Sequence, residues 1–419
     1  MDKKYQIDSI ENIRFLNEIR KNLVDFGKHV VAPDGTAYYL GDDGSPWPNF
    51  NRDTYENARM YHVYGMAALL YGQEWNRLTD GLKKGLTVTL RDRKNGGWFD
   101  GLLADEKPKE GKQCYSHAFV VLAAADALMA KDTGAEEFFN DAVQCFDHYF
   151  WIEKDGMTAD TWNTELSTLD EYRGLNANMH TVEALLNAAD ASAQEVYRER
   201  AGRIINRVIK LASDNEWRIP EHYTEKWQPL LDYNKDHPDD QFKPYGATPG
   251  HGLEWARLIL QWASSTFGPD HSDFPYYCNA AENLFDRAVK DGWHADGSPG
   301  FVYTTDWFGK PIVSDRMHWV LAEAINTAAV LYRVTKKETY ASAYAMFMQY
   351  LDTCVLDHKL GSWFHQLNQK NEPIDSVWPG KPDLYHAFQA TLIPYCPIHL
   401  SVFKAVKEQL YAEGIALAH

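Results

Sequence analysis

Three observations in this 419-residue sequence predict an all-α fold. Apolar residues recur at intervals of three and four through about twelve segments, the period of a helix with one buried face. The connections alternate between long stretches rich in Gly, Trp and Asp and short turns. No Pro- or Ser-rich linker interrupts the pattern, so residues 1–419 read as a single domain. Long loops at one end and short turns at the other describe six helical hairpins in a ring. The expected architecture is an (α/α)6 barrel of about twelve helices with short β-hairpins in the long loops.

The elements follow in order. Ile13, Leu16, Ile19, Leu23 and Phe26 open the chain with an amphipathic helix. Further helices, many rich in Ala, read at 54–72, 77–91, 116–131, 135–150, 178–190, 196–213, 250–266, 277–291, 316–334, 338–356 and 383–393. The long connections include NGGWFDG (95–101), DGWHADGSPGFVYTTDWFGKP (291–311) and LGSWFHQLNQKNEPIDSVWPGKPD (360–383), and the short ones KDTGAE (131–136) and ADASAQ (189–194). In a ring of hairpins the inner helices begin just after the long loops. An open solenoid would show a clearer repeat period.

Composition narrows the function. With 42 Lys and Arg against 59 Asp and Glu the net charge is −17, which repels phosphate backbones and anionic membranes, so neither nucleic acid nor membrane is an expected partner. The five cysteines lie far apart with no C-x-x-C pair, as in a reducing compartment. The stretch MDKKYQIDSIENIRF has no apolar run, and no segment approaches the roughly 18 apolar residues needed to span a bilayer, so a cytoplasmic location is expected. The 14 Trp, 24 Tyr and 16 His suit a polar ligand such as a sugar as well as they suit a large aromatic core. No G-x-G-x-x-G, P-loop, G-x-S-x-G or H-E-x-x-H motif is present, which removes nucleotide cofactors and serine hydrolysis.

Five histidines stand at the starts of the expected inner helices: His117, His180, His251, His318 and His386. Side chains at that end of a helical barrel converge on its mouth, and an imidazole titrating near neutrality is a natural proton shuttle. His180 with Glu183 and His251 with Glu254 share the spacing His-x-x-Glu, which sets a carboxylate beside the imidazole on one helical face. The same spacing serves metal sites, but those need further carboxylates in register; none is evident and no metal is expected. Arg59 sits on a helix among aromatic residues, where it either pairs with a carboxylate or faces a cavity. Arg173, Asn176, Asn178 and His180 form a run of hydrogen-bonding groups, and Tyr115, Trp319 and Glu323 add stacking faces and acceptors for a sugar ring. Asp100, Asp160, Glu165 and Asp306 are candidates for a two-carboxylate glycosidase, but no spacing singles out a pair.

The motifs DFGKHVVAPDG (25–35), ARMYHVYG, RDRKNGGWFD, EYRGLNANMHTVEA, HYTEKWQPLLDYNKDHP, GATPGHGLEWARL, VYTTDWFGKPIV, LGSWF and DLYHAF occur in that order. In them the chain resembles the N-acylglucosamine 2-epimerase superfamily, and within it the aldose–ketose isomerases that act on mannose or sulfoquinovose. The resemblance implies an (α/α)6 barrel with a pocket at its mouth and a cofactor-free reaction. That reaction is interconversion of D-mannose and D-fructose, with D-lyxose and D-xylulose as a side activity, by ring opening and a cis-enediol. It makes His251 and His386 the catalytic pair with Glu254 beside the first. It gives Arg59, Tyr115, Asn176, His180, Trp319 and Glu323 to the sugar, and to Tyr55 a place where an aromatic face belongs. Sulfosugar-specific relatives carry an Arg before the TPGH motif and a Gln before the final His. Here Gln241 and Lys243 occupy the first segment and Pro382 the second, which favours an uncharged hexose while leaving Lys243 as a partner for a sulfonate. The alternatives are a 2-epimerase of the cellobiose or N-acylglucosamine type, a sulfoquinovose isomerase, a glycoside hydrolase on the same barrel, and a sugar-binding protein. The sequence leaves oligomeric state open.

Overall fold

In a computed structural model, which describes residues 2–409, the expected helices form in order. They are α1 (Ile10–Phe26), α2 (Thr54–Tyr71), α3 (Asn76–Lys84), α4 (Cys114–Ala130), α5 (Ala135–Tyr149), α6 (Leu175–Ser192), α7 (Glu195–Ser213), α8 (Pro249–Thr266), α9 (Phe274–Gly292), α10 (His318–Thr335), α11 (Glu338–Tyr350) and α12 (Tyr385–Ala390). The even-numbered helices are buried on nearly every side. They touch one another in sequence, and α12 returns to α2, closing an inner ring. The odd-numbered helices bury one face against it, as their three-and-four spacing requires. Among the described residues no helix is long and apolar enough to cross a membrane.

Three details differ from the sequence reading. Helices α3 and α11 end early and continue as single π-helical turns, Gly85–Thr89 and Leu351–Val355. A thirteenth helix, α13 (Val402–Lys407), is too short to show a period; it packs against α2, α4 and α6. Ahead of it the Ser401 N–H donates to Asp190 near the end of α6 (2.7 Å). The strands also divide into two kinds. Tyr39–Leu40 with Pro46–Trp47, Trp151–Ile152 with Met157–Thr158, and Thr304–Thr305 with Pro311–Val313 are the expected hairpins. Four other antiparallel pairs join neighbouring loops: Arg52–Asp53 with Gly101–Leu102, Lys112–Gln113 with Thr161–Trp162, Tyr172–Gly174 with His222–Thr224, and Arg316–Met317 with Gln366–Leu367. A bridge between Ala247 and Thr305 and a Lys381 N–H to Leu40 hydrogen bond (3.0 Å) complete a belt around the mouth.

A repeated device holds this belt. Asp34, Asp92, Asp296 and Asp357 each accept backbone N–H bonds from residues just ahead, closing a turn in a long loop. Each also pairs with a buried cation at the lead-in to the next inner helix: Arg52 (2.8 Å), Lys112 (2.8 Å), Arg316 (2.7 Å) and Lys381 (2.5 Å). Imidazoles clamp two of the same loops. His117 Nε2 accepts the Trp98 N–H (3.0 Å), and His365 Nε2 accepts the Asp383 N–H (2.9 Å). Burial lowers their pKa values to about 3 and about 4 respectively.

Two outcomes are expected. Lys112→Met strands the Asp92 carboxylate and costs about 3–5 kcal/mol in urea unfolding, whereas the double change Asp92→Asn with Lys112→Met costs less. As pH falls below 6.5 the unfolded chain protonates His117 and His365 while the fold keeps them neutral, so their contribution is intact above 6.5 and lost toward pH 4. The slope from this pair is up to about 2.7 kcal/mol per pH unit, and His117→Gln removes about half of it in urea unfolding measured from pH 7 to 5.

Candidate active site

At the belted end of the barrel a narrow cavity opens among the starts of the inner helices. Each inner helix contributes to its lining: Arg59 from α2, Tyr115 from α4, Asn176 and His180 from α6, His251 and Glu254 from α8, Trp319 from α10 and His386 from α12. Loop residues Gln241, Phe242, Tyr303 and Trp378 complete it. The long loops deliver each helix N-terminus to the rim, with Pro249 pre-set for the first turn of α8, so residues far apart in sequence meet here.

Eight of the nine expected site residues therefore share one cavity. Glu323 does not line it. It lies behind His386, with Oε1 3.1 Å from the imidazole Nδ1 and Oε2 accepting from Arg257 Nε at 2.8 Å. Burial raises the Glu323 pKa, but the Arg257 guanidinium and His386 outweigh it and hold the carboxyl below its ordinary range. An ionised carboxylate at Nδ1 keeps that proton in place and leaves Nε2 as the reactive nitrogen.

The second histidine corrects an expectation. Glu254 does not back His251. The carboxylate 2.9 Å from His251 Nδ1 belongs to Glu221, which precedes the strand His222–Thr224 in the loop leading to α8. That contact is close but not aligned as a hydrogen bond, and among the described residues Glu221 accepts no other. A three-residue spacing on a helix put Glu254 on the same face as His251, but the ring turns toward the loop carboxylate. Glu254 instead lies 3.8 Å from His180 Nδ1 and 3.6 Å from Arg257. Burial, then repulsion by Glu323, pushes its pKa far up, which favours the neutral acid at the cavity wall. The pairing of His180 with Glu183 is as the spacing predicts, at 3.5 Å.

Arg59 donates to Asp383 (3.0 Å) and to the Tyr115 hydroxyl (2.7 Å), with its guanidinium 4.4 Å from the Phe119 ring centroid. Asp383 holds it in place and Tyr115 keeps its own O–H free to donate. Trp319 lies between the catalytic candidates, its ring centroid 5.1 Å from His251 and 5.9 Å from His386. Tyr55 stacks edge-on to Tyr115 outside the lining.

Other candidates fall away. His117 serves the loop clamp, and His318 stacks on His365 at 3.9 Å, fully buried. Asp100 accepts from Ser116 and Gln113, Asp160 pairs with Lys243 (3.5 Å), Glu165 is exposed, and Asp306 closes a hairpin turn, so no glycosidase pair forms at the cavity. The carboxylates a metal would need are brought together after all. His180, Glu183 and Glu254, and Glu254, Glu323 and His386, form two groups with ligand atoms within 4.8 Å of one another. The Arg257 guanidinium lies against Glu254 and Glu323 and already supplies positive charge there. Glu221, Arg257, Phe242, Tyr303 and Trp378 were not singled out in the sequence. They act across loops and helices, and of them Tyr303 and Trp378, each in a long Gly/Trp-rich connection, carried a visible signal.

The family model for N-acylglucosamine 2-epimerase (GlcNAc 2-epimerase) matches residues 35–390. The D-mannose isomerase of Pseudomonas cannabina pv. alisalensis is 39% identical over 387 residues, covering 92% of this chain and 93% of the relative. That of Thermobifida fusca is 39% identical over 400 residues, with 94% and 96% covered. A crystal structure of a D-mannose isomerase superposes with a TM-score of 0.84 at 30% identity, covering 91% of this chain and 97% of that one. The cellobiose 2-epimerase of Spirochaeta thermophila shares the fold, with a TM-score of 0.77 at 17% identity and 95% and 98% covered. Ring, mouth and matched sequence agree, and the chain belongs to the N-acylglucosamine 2-epimerase family.

Proposed function

We propose that this chain, acting as one domain, is a cofactor-independent aldose–ketose isomerase that interconverts D-mannose and D-fructose, with D-lyxose and D-xylulose as a slower pair. The observation that carries the reading is two histidines facing one narrow cavity across Trp319, each with a buried carboxylate at Nδ1. Relatives at 39% identity over most of the chain, which are D-mannose isomerases, support the choice of sugar.

The reaction moves protons without net gain or loss of electrons. His251, backed by Glu221, takes the O1 proton and returns one to the ring oxygen, opening the pyranose. His386 removes the proton from C2 and delivers it to C1 while His251 carries the O2 proton to O1, and one imidazole serving both carbons on one face leads through a cis-enediol. Arg59 faces the oxygen where enediolate charge develops, in a site already arranged and largely shielded from water. His180, whose pKa burial lowers to about 4, is neutral and holds a neighbouring hydroxyl. Neutral Glu254 donates to another, and Trp319 and Tyr115 give flat faces to the carbon skeleton. Lys243 does not line the cavity; it sits on the Tyr172 ring and pairs with Asp160, which supports an uncharged hexose over a sulfosugar.

Purified protein given D-mannose is expected to form D-fructose; D-glucose as first product would overturn the isomerase reading in favour of a 2-epimerase. His386→Asn lowers kcat by about 10²- to 10⁴-fold. Glu323→Gln lowers it about 10- to 100-fold with little change in KM, because the ring loses its partner and not its place. Glu221→Gln is expected to slow α-pyranose and β-pyranose turnover far more than turnover of the open-chain aldehyde fraction, read by steady-state rates on freshly dissolved anomers.

A further inference from the structure

Beneath the cavity a file of buried polar side chains runs through the inner ring, and the proton transfers above do not pass through it. His180 Nδ1 lies 3.5 Å from Glu183 Oε2, which also accepts from the Tyr385 hydroxyl. Glu183 Oε1 accepts from Gln389 Nε2 at 3.2 Å, and that amide nitrogen lies 3.4 Å from His62 Nε2. His62 Nδ1 lies 2.6 Å from Asp126 Oδ2, and Asn187 donates to the other Asp126 oxygen at 2.8 Å. These residues come from α2, α4, α6 and α12, and every one is buried.

The protonation pattern follows link by link. Asp126 holds a proton on His62 Nδ1; burial lowers the His62 pKa and the Asp126 and Glu183 carboxylates raise it, and in the neutral imidazole Nε2 presents a lone pair that must meet a donor. The donor is the Gln389 amide, which spends its two N–H groups on His62 and Glu183 while its oxygen is buried without a partner among the described residues. Turned the other way, the amide would set that oxygen against both the His62 lone pair and the Glu183 carboxylate. The amide is therefore locked with nitrogen inward. Glu183 receives donors at both oxygens, and although burial raises its pKa, His180 and Arg257 bring it well below the usual carboxylate range. An ionised Glu183 facing Nδ1 of a neutral imidazole leaves that nitrogen the proton and the other the lone pair.

We propose that Gln389 and His62 are positioning residues: through Glu183 they hold His180 as its Nδ1–H tautomer, so that Nε2 accepts a hydrogen bond from a sugar hydroxyl. The binding role rests on the isomerase reading; the tautomer does not. The test is long-range proton–nitrogen NMR of histidine-labelled enzyme without sugar, with His180 assigned by its loss in His180→Gln. The wild type is expected to show the Nδ1–H form. Gln389→Met, which keeps volume and removes both donors, shifts His180 toward the Nε2–H form and raises KM for D-mannose about two- to tenfold with kcat less affected. His62→Gln, which restores an acceptor near Nε2, retains the Nδ1–H form, whereas His62→Leu loses it; this pair decides the matter if Gln389→Met does not fold. An Nε2–H form in the wild type, or an unchanged tautomer in both Gln389→Met and His62→Leu, overturns the proposal. Absence of mannose turnover with the predicted tautomer pattern would instead overturn only the choice of substrate.

Discussion

The buried pairing of a loop carboxylate with a cation at the next helix start is the interaction on which the mouth of this barrel depends. Long loops must bring polar backbone to the edge of an apolar core, and an irregular segment there has no ladder to absorb its N–H groups. Asp92 answers both demands: it takes the backbone donors of its own turn and neutralises Lys112, whose side chain is fully buried. The same arrangement at Asp34, Asp296 and Asp357 fixes where α2, α10 and α12 begin. Because those helix starts carry Arg59, Trp319 and His386, the geometry of the cavity is set by charges outside it.

Inside the ring a second constraint acts on charge. Glu183, Glu254, Glu323 and Asp383 are buried with two guanidinium groups, Arg59 and Arg257, so the carboxyls cannot all ionise. Arg257 touches Glu323 most closely and Glu254 less so, which lowers the Glu323 pKa, while burial and repulsion by Glu323 raise that of Glu254. One shared cation thus pushes the pKa values of two chemically identical side chains apart, down for the partner of His386 and up for the one on the cavity wall, the environment-driven division expected of carboxyls at a working site.

The helices were legible because each is long and periodic: the alternation of loops and turns identified the ring, and the placement of histidines at helix starts identified the mouth. What stayed hidden depends on side-chain direction or on contacts across the ring. Spacing placed Glu254 beside His251, and it could not report that the ring turns to Glu221, thirty residues away in a loop. Glu323 read as a sugar contact from its i,i+4 relation to Trp319, but a full turn down α10 carries it below the cavity to the back of His386. The belt strands are two or three residues long, too short for an alternating pattern, so their pairing between loops left no trace in the sequence.

The central claim, one imidazole moving a proton between adjacent carbons on one face, is tested most directly by turnover of D-mannose in deuterated water with NMR of the fructose formed. A single-base shuttle predicts that one prochiral position of C1 carries a mixture of the transferred C2 proton and exchanged deuterium while the other stays unlabelled. Deuterium spread over both positions, or glucose labelled at C2 ahead of fructose, would contradict it.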